Sequence, residues 1–101
     1  MKLNVEKSGR TARITVEGAI QSVQDAMDVK KALSDQVAVD PGVALELRLP
    51  DASVLPSSVI GALLRLVEID KAQVSLQVGQ EVLRESLKKL NFDAILHVRS
   101  L

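Results

Sequence analysis

The chain contains no cysteine, tryptophan or tyrosine and a single phenylalanine, Phe92, among its 101 residues. Without cysteine it forms no disulfide framework and offers no thiolate to a metal, which fits a reducing compartment. Without aromatic side chains it has no platform on which bases stack. No excess of charge exists either: 13 acidic and 13 basic residues balance. That balance removes the electrostatic footprint expected of a protein that holds phosphate backbones or anionic lipid, so nucleic acid is not an expected partner. Long hydrophobic runs are missing too. Val59 to Leu64 is broken by Gly61 and stopped by Arg65, far short of the ~20 apolar residues that cross a bilayer. Residues Met1 to Lys7 alternate in type and carry no apolar stretch of the kind an export signal needs. The expectation is a protein of the cytoplasm that does not insert into membranes.

What is present is aliphatic. Hydrophobic residues make up 47% of the chain, nearly all Val, Leu, Ile and Ala, and the length suits one domain over 1–101 with one core. Lys2 to Lys7 and Ala12 to Glu17 read as two strands joined by Ser8-Gly9-Arg10, a hairpin. Ser22 is a good N-cap for a helix over 23–37, with Asp25 placed to assist, and Val23, Ala26, Met27, Leu33 and Val37 mark its buried face. Asp40-Pro41-Gly42 is a turn. Leu45, Leu47 and Leu49 then alternate with Glu46 and Arg48 in a strand over 43–49 that Pro50 ends. A loop to Pro56 leads into a helix carrying Ile60, Leu63, Leu64 and Val67 at i, i+3, i+4, i+7 spacing. Gln73 to Val78 is a strand, and Gln80 to Leu90 is a helix burying Leu83, Leu87 and Leu90, with Asn91 at its end. Ala94 to Val98 is a last strand. The expected fold is α/β, with the order β-β-α-β-α-β-α-β. It forms a mixed sheet with parallel crossovers, an antiparallel opening hairpin and helices packed on it.

Few residues are arranged for chemistry. His97 is the only imidazole and lacks co-ligands for zinc or iron, so no metal or other cofactor is expected. A Ser57–His97 pair has no orienting motif around it, which leaves a hydrolase as the least supported reading. Gly79 stands between a strand and a helix but lacks a second Gly and a Lys at nucleotide-loop spacing. Glu81 with Glu85 and Asp25 with Asp28 read as solvated helix faces with lysine partners.

One segment stands apart: Leu55-Pro56-Ser57-Ser58-Val59-Ile60-Gly61-Ala62-Leu63-Leu64. Two hydroxyls sit at the start of the strongest helix. Capping accounts for one of them. Gly61 inside a helix costs about 1 kcal/mol relative to Ala, and close approach of the helix to the sheet is its expected reason. Here the sequence resembles the STAS domain, the fold of bacterial anti-anti-sigma factors. Ser57 and Ser58 match that family's two hydroxyl positions, Gly61 its later glycine, and Ala62-Leu63-Leu64 the helix that follows. The element order agrees along nearly the whole chain. Pro56 departs from the family's Asp, Val59 from its first Gly, and Arg48 from the Asp that usually ends the preceding strand.

The resemblance implies a non-enzymatic regulatory switch that binds protein. Ser57, or less readily Ser58, would be the phosphorylated residue. Asp51, Ser53, Leu55, Pro56, Ser57, Ser58, Val59 and Ala62 would form the partner surface. The implied partners are a kinase-type ATPase, as an anti-sigma or switch protein, and a cognate phosphatase. The alternative is a constitutive subunit of a larger assembly, such as an ABC-type lipid-transport complex, with no phosphate attached.

Overall fold

The computed structural model describes residues 1–101. Eight elements follow one another as β1 (Lys2–Ser8), β2 (Thr11–Glu17), α1 (Val23–Val39), β3 (Ala44–Leu49), α2 (Ser57–Glu68), β4 (Gln73–Val78), α3 (Glu81–Lys89) and β5 (Val98–Ser100). The five strands lie in one sheet in sequence order. β1 and β2 pair antiparallel as the hairpin, and β2–β3, β3–β4 and β4–β5 pair parallel.

That order decides where the helices go. Parallel strands added always on the same side by right-handed crossovers carry every helix to the same face of the sheet. The burial pattern agrees. Ala12, Ile14 and Val16, Leu45, Leu47 and Leu49, and Val74, Leu76 and Val78 are buried on the helical face, within one cluster of 23 buried residues. Their neighbours Arg13, Thr15, Glu46, Arg48, Ser75 and Gln77 turn to the uncovered face and are half-buried. There Glu46 Oε1 accepts from the Arg13 guanidinium at 3.3 Å and from Gln77 Nε2 at 3.2 Å, across three strands. A polar face of this kind needs no covering layer.

The helices are set by their ends and inner stripes. Ser22 caps α1, its Oγ accepting from the Asp25 N–H at 3.0 Å. The buried stripe of α1 is Ala26, Val29 and Leu33, while Val23 and Met27, expected inside, are 79% and 51% exposed. α2 buries Val59, Leu63 and Leu66, with Ile60, Leu64 and Val67 at the margins of that stripe. α3 buries Leu83 and Leu87 but leaves Leu90 exposed. It ends in a Schellman turn. Asn91 takes φ +62, its N–H donates to Lys88 O, and the Phe92 N–H reaches Leu87 O at 2.9 Å. Phe92 is thereby laid against the core.

The last strand lies later than the sequence pattern indicates. Residues 93–97 wind through turns, with Leu96 N–H donating to Phe92 O, Val98 N–H to Asp93 O, and His97 at φ +48. Leu96 still points inward and is fully buried. The run Ala94-Ile95-Leu96 has no alternation to separate a strand from a turn that buries one leucine.

Candidate functional site: the entrance of helix α2

The loop between β3 and α2 delivers the two serines. Gly79 N–H donates to Leu49 O at 2.9 Å, and a Cβ at Gly79 would run into the backbone of Pro50, so the ends of β3 and β4 approach as only glycine permits. From Pro50 the loop is pinned twice. Ala52 and Leu55 enter the core, and Asp51 Oδ2 accepts from the Gly18 N–H at 2.8 Å. Gly18 holds φ +85, which lets the β2–α1 connection turn towards Asp51. Asp51 thus braces two loops against each other. Ser53 and Val54 remain exposed between these pins.

Neither serine caps the helix. Pro56 occupies the N-cap with φ −56 and ψ 142 and offers no side-chain acceptor, and its carbonyl takes the N–H groups of Val59 and Ile60. Ser57 and Ser58 are the first two helical residues and are exposed. Their hydroxyls make no hydrogen bond within the chain, and no acidic residue stands in the first turn. A helix opening of this kind favours an anion by roughly 0.3–1 kcal/mol at an exposed position. Ordinary capping therefore explains neither hydroxyl.

Successive residues of α2 turn about 100° apart. Ser57 points outward to solvent. Ser58, Ala62 and Arg65 lie on the flank towards α1, with Gly61 between that flank and Ser57. Val59 and Leu63 point into the core at 0% exposure. Among the residues expected to form the partner surface, Asp51, Ser53, Ser57 and Ser58 are exposed, and Pro56 and Ala62 are half-buried. Leu55, at 6% exposure, and Val59 lie inside, where they hold the loop and helix in place. Gly61 does not bring the helix near the sheet. A Cβ added there would meet nothing within 4 Å, because the residue faces open space.

Sequence reasoning missed the α1 side of this surface. A groove of about 450 Å³ runs beside the entrance, lined by Val23, Ala26, Met27 and Lys30 of α1 with Ser58 of α2 and its N-cap Pro56. Val23 and Met27 obey the helical period and so read as core. The signal that separates them is Val29 with Ala26 and Leu33, a second apolar stripe that alone faces the sheet. Above the groove, Asp25 Oδ2 accepts from the Gln21 N–H at 3.1 Å. That hydrogen bond holds the Asp25 carboxyl below its ordinary value of 3.8, against desolvation, with help from the amino-terminal charge and Ser22.

Other candidate chemistry is dispersed. His97 lies at the start of β5, in a groove with Thr11, Ala44 and Gln73 at the ends where β2, β3 and β4 begin. Ser57 follows the end of β3, so the parallel sheet holds the two at opposite ends. No three His, Cys, Asp or Glu side chains gather as a ligand set. The lysine partners expected for the acidic helix pairs are replaced by Lys31–Asp35 at 2.9 Å and Arg84–Glu81 at 3.7 Å. No helix is long and apolar enough to cross a membrane.

Neither protein-family models nor curated proteins match the sequence. Its three-dimensional structure does match. The solved structure of the anti-sigma factor antagonist SpoIIAA in its unphosphorylated form superposes with a TM-score of 0.76 over 99% of this chain and 88% of that one, at 14% identity. At that identity the likeness lies in the backbone, and it extends from the opening hairpin to β5. The fold of this chain is the STAS fold, the one built by an anti-sigma factor antagonist.

Proposed function

We propose that the chain is a regulatory protein-binding domain of the cytoplasm without chemistry of its own. Its docking surface is the entrance of α2 together with the flanking groove, and phosphorylation of Ser57 controls it. The observation that carries this reading is the pair of unengaged hydroxyls on an uncapped helix beside exposed Val23 and Met27. Apolar side chains held out of the core next to adaptable polar groups resemble the centre and rim of a protein interface. The fold shared with SpoIIAA, an anti-sigma factor antagonist, supports a protein partner of related kind. A kinase-type ATPase and a cognate phosphatase are the partners this reading requires.

A phosphate on Ser57 adds about −1.5 to −2 charges at neutral pH. The free domain tolerates it, because the group stands in solvent at the favourable end of a helix. An interface does not, since burying an unpaired anion against a partner costs several kcal/mol and each 1.4 kcal/mol is about tenfold in affinity. The test is partner binding by purified Ser57→Asp and Ser57→Ala proteins. Loss of at least roughly tenfold in the first and retention in the second are expected. Equal binding by both removes the switch. Pro56, standing where the resembled family carries Asp, favours the second reading, a constitutive subunit of a larger assembly. Intact mass of the protein from its own cells separates the two, because only the switch requires a population heavier by one phosphate.

A further inference from the structure

The sheet ends in two unlike edges. β5 closes one side with 3 residues, whereas β1 presents 7, and no strand of the chain lies beyond it. A strand left unpaired along one side is a template for another strand, and proteins ordinarily blunt such an edge with proline, a bulge or outward lysine. β1 has no proline and runs against β2 in unbroken one-to-one register from Lys2–Glu17 to Ser8–Thr11. Of its two lysines, Lys7 is drawn back to Asp40, with Nζ 3.8 Å from Oδ2.

The turn fixes which backbone groups face outward. Gly9 has φ +60 while Arg10 keeps a negative φ, the arrangement of a two-residue type II′ hairpin. Its closing pair, Ser8 and Thr11, is hydrogen-bonded, and bonding alternates along an antiparallel pair. The even-numbered residues of β1 therefore bond to β2, and Leu3, Val5 and Lys7 direct their N–H and C=O groups away from the sheet. Leu3 and Val5 put their side chains on the helical face, beside Val16 and Ile14, and Val5 is 42% exposed there. On the uncovered face Lys2 and Glu6 form no ion pair within the chain. Arg13, paired with Glu6 across the hairpin, goes to Glu46 instead.

We propose that β1 is a self-association edge, on which two copies of the chain pair antiparallel about a two-fold axis through Asn4 and join their sheets into one. Outward-facing residues must meet outward-facing residues, so the axis passes through a residue and not between two. Centred on Leu3 or Val5, the charged residues of β1 meet only neutral ones; centred on Glu6, two carboxylates collide. Centred on Asn4, Lys2 of each copy faces Glu6 of the other, and opposite charges meet twice by symmetry. Leu3 of each copy then faces Val5 of the other, exchanging both N–H···O bonds and joining two exposed apolar patches. Lys2 with Glu6, and Asn4 with its own copy, fall at the non-hydrogen-bonded positions where side chains stand closest.

The test is sedimentation equilibrium of the whole chain from micromolar to millimolar concentration, where a monomer–dimer equilibrium is expected. Lys2→Glu and Glu6→Lys each set like charges face to face at both pairs, and each should weaken the dimer at least roughly tenfold. Mixing these two variants in equal amounts should restore association, because each meets its complement in the other. Val5→Pro removes an outward N–H that pairs with nothing in the chain, so it should give a monomer that circular dichroism shows to be folded. The charge variants leave the backbone intact and carry the test should the proline variant not fold. The chain has no cysteine, so Asn4→Cys supplies a lone thiol next to its own copy and should oxidise to a disulfide-linked dimer. Glu6→Cys, about 13 Å from its copy in this register, should not. A chain that stays monomeric throughout overturns the proposal. So does a mixture no more associated than its two components, or equal cross-linking at positions 4 and 6. Growth past the dimer also overturns it, being the mark of β1 meeting β5 head to tail. No residue of the α2 entrance takes part, so the outcome is separate from docking there.

Discussion

Single residues at the α2 entrance divide into those that present a surface and those that hold it in place. Asp51 belongs to the second group, because its carboxylate joins the loop after β3 to Gly18. Asp51→Ala should therefore lower stability by about 1 kcal/mol, or roughly 4–8 °C in Tm for a domain of this size. Asp51→Asn, which keeps an acceptor oxygen, should cost less, and thermal unfolding of both variants checks the order. Asp25 has a pH signature. Its carboxyl titrates lower in the folded chain than in the unfolded one, so its contribution is complete above the ordinary value of 3.8 and is lost as pH falls through the folded value. The Tm difference between the parent and Asp25→Asn should accordingly be steady near neutrality and shrink below about pH 4. A difference that grows on acidification would reverse the assignment. Ser22 and Asp25 are legible as a helix start from residue type alone. Ser57 and Ser58 mislead in the same terms, because the preceding proline takes the cap and leaves both hydroxyls free.

At the scale of elements, β4 and the start of α2 lie where the pattern of residues places them. Alternation in Gln73–Val78 and the i, i+3, i+4, i+7 spacing after Pro56 each point to one conformation. The end of the chain is less legible, since Ala94-Ile95-Leu96 fits a strand or a turn equally well and only contact of Leu96 with the core decides. α1 carries two apolar stripes, and periodicity cannot say which meets the sheet. Burial selects Ala26, Val29 and Leu33 and leaves Val23 and Met27 to the groove. In α2 the two faces should respond oppositely to substitution. Leu63→Ala removes a fully buried side chain and should cost about 2–5 kcal/mol. Gly61→Ala adds a methyl group in open space and should stabilise by up to about 1 kcal/mol. Urea unfolding of the two variants checks both signs. A destabilising Gly61→Ala would mean that this glycine packs closely after all.

For the whole molecule, the sequential strand order places all three helices on one face and leaves the other face to a polar ladder built around Glu46. Partner recognition is then expected at the helical rim, where Ser58, Met27 and Val23 line one groove next to exposed Ser57. The fold is legible from the order of elements and from the resemblance at Ser57, Ser58 and Gly61. The proposed docking surface is only half legible, because its α1 side arises from helix packing that joins residues about 30 positions apart. Met27→Glu should leave Tm within a few degrees of the parent, since the side chain is half out of the core, yet it should weaken docking as strongly as Ser57→Asp. The most direct measurement is parallel affinity capture from the native cell extract with the parent, Ser57→Ala, Ser57→Asp and Met27→Glu proteins as baits, quantified by mass spectrometry. One ATP-binding protein retained by the first two baits and depleted at least roughly tenfold on the last two is the expected result. Equal recovery of the same proteins on all four baits would contradict the assignment of a hydroxyl-gated docking surface at the entrance of α2.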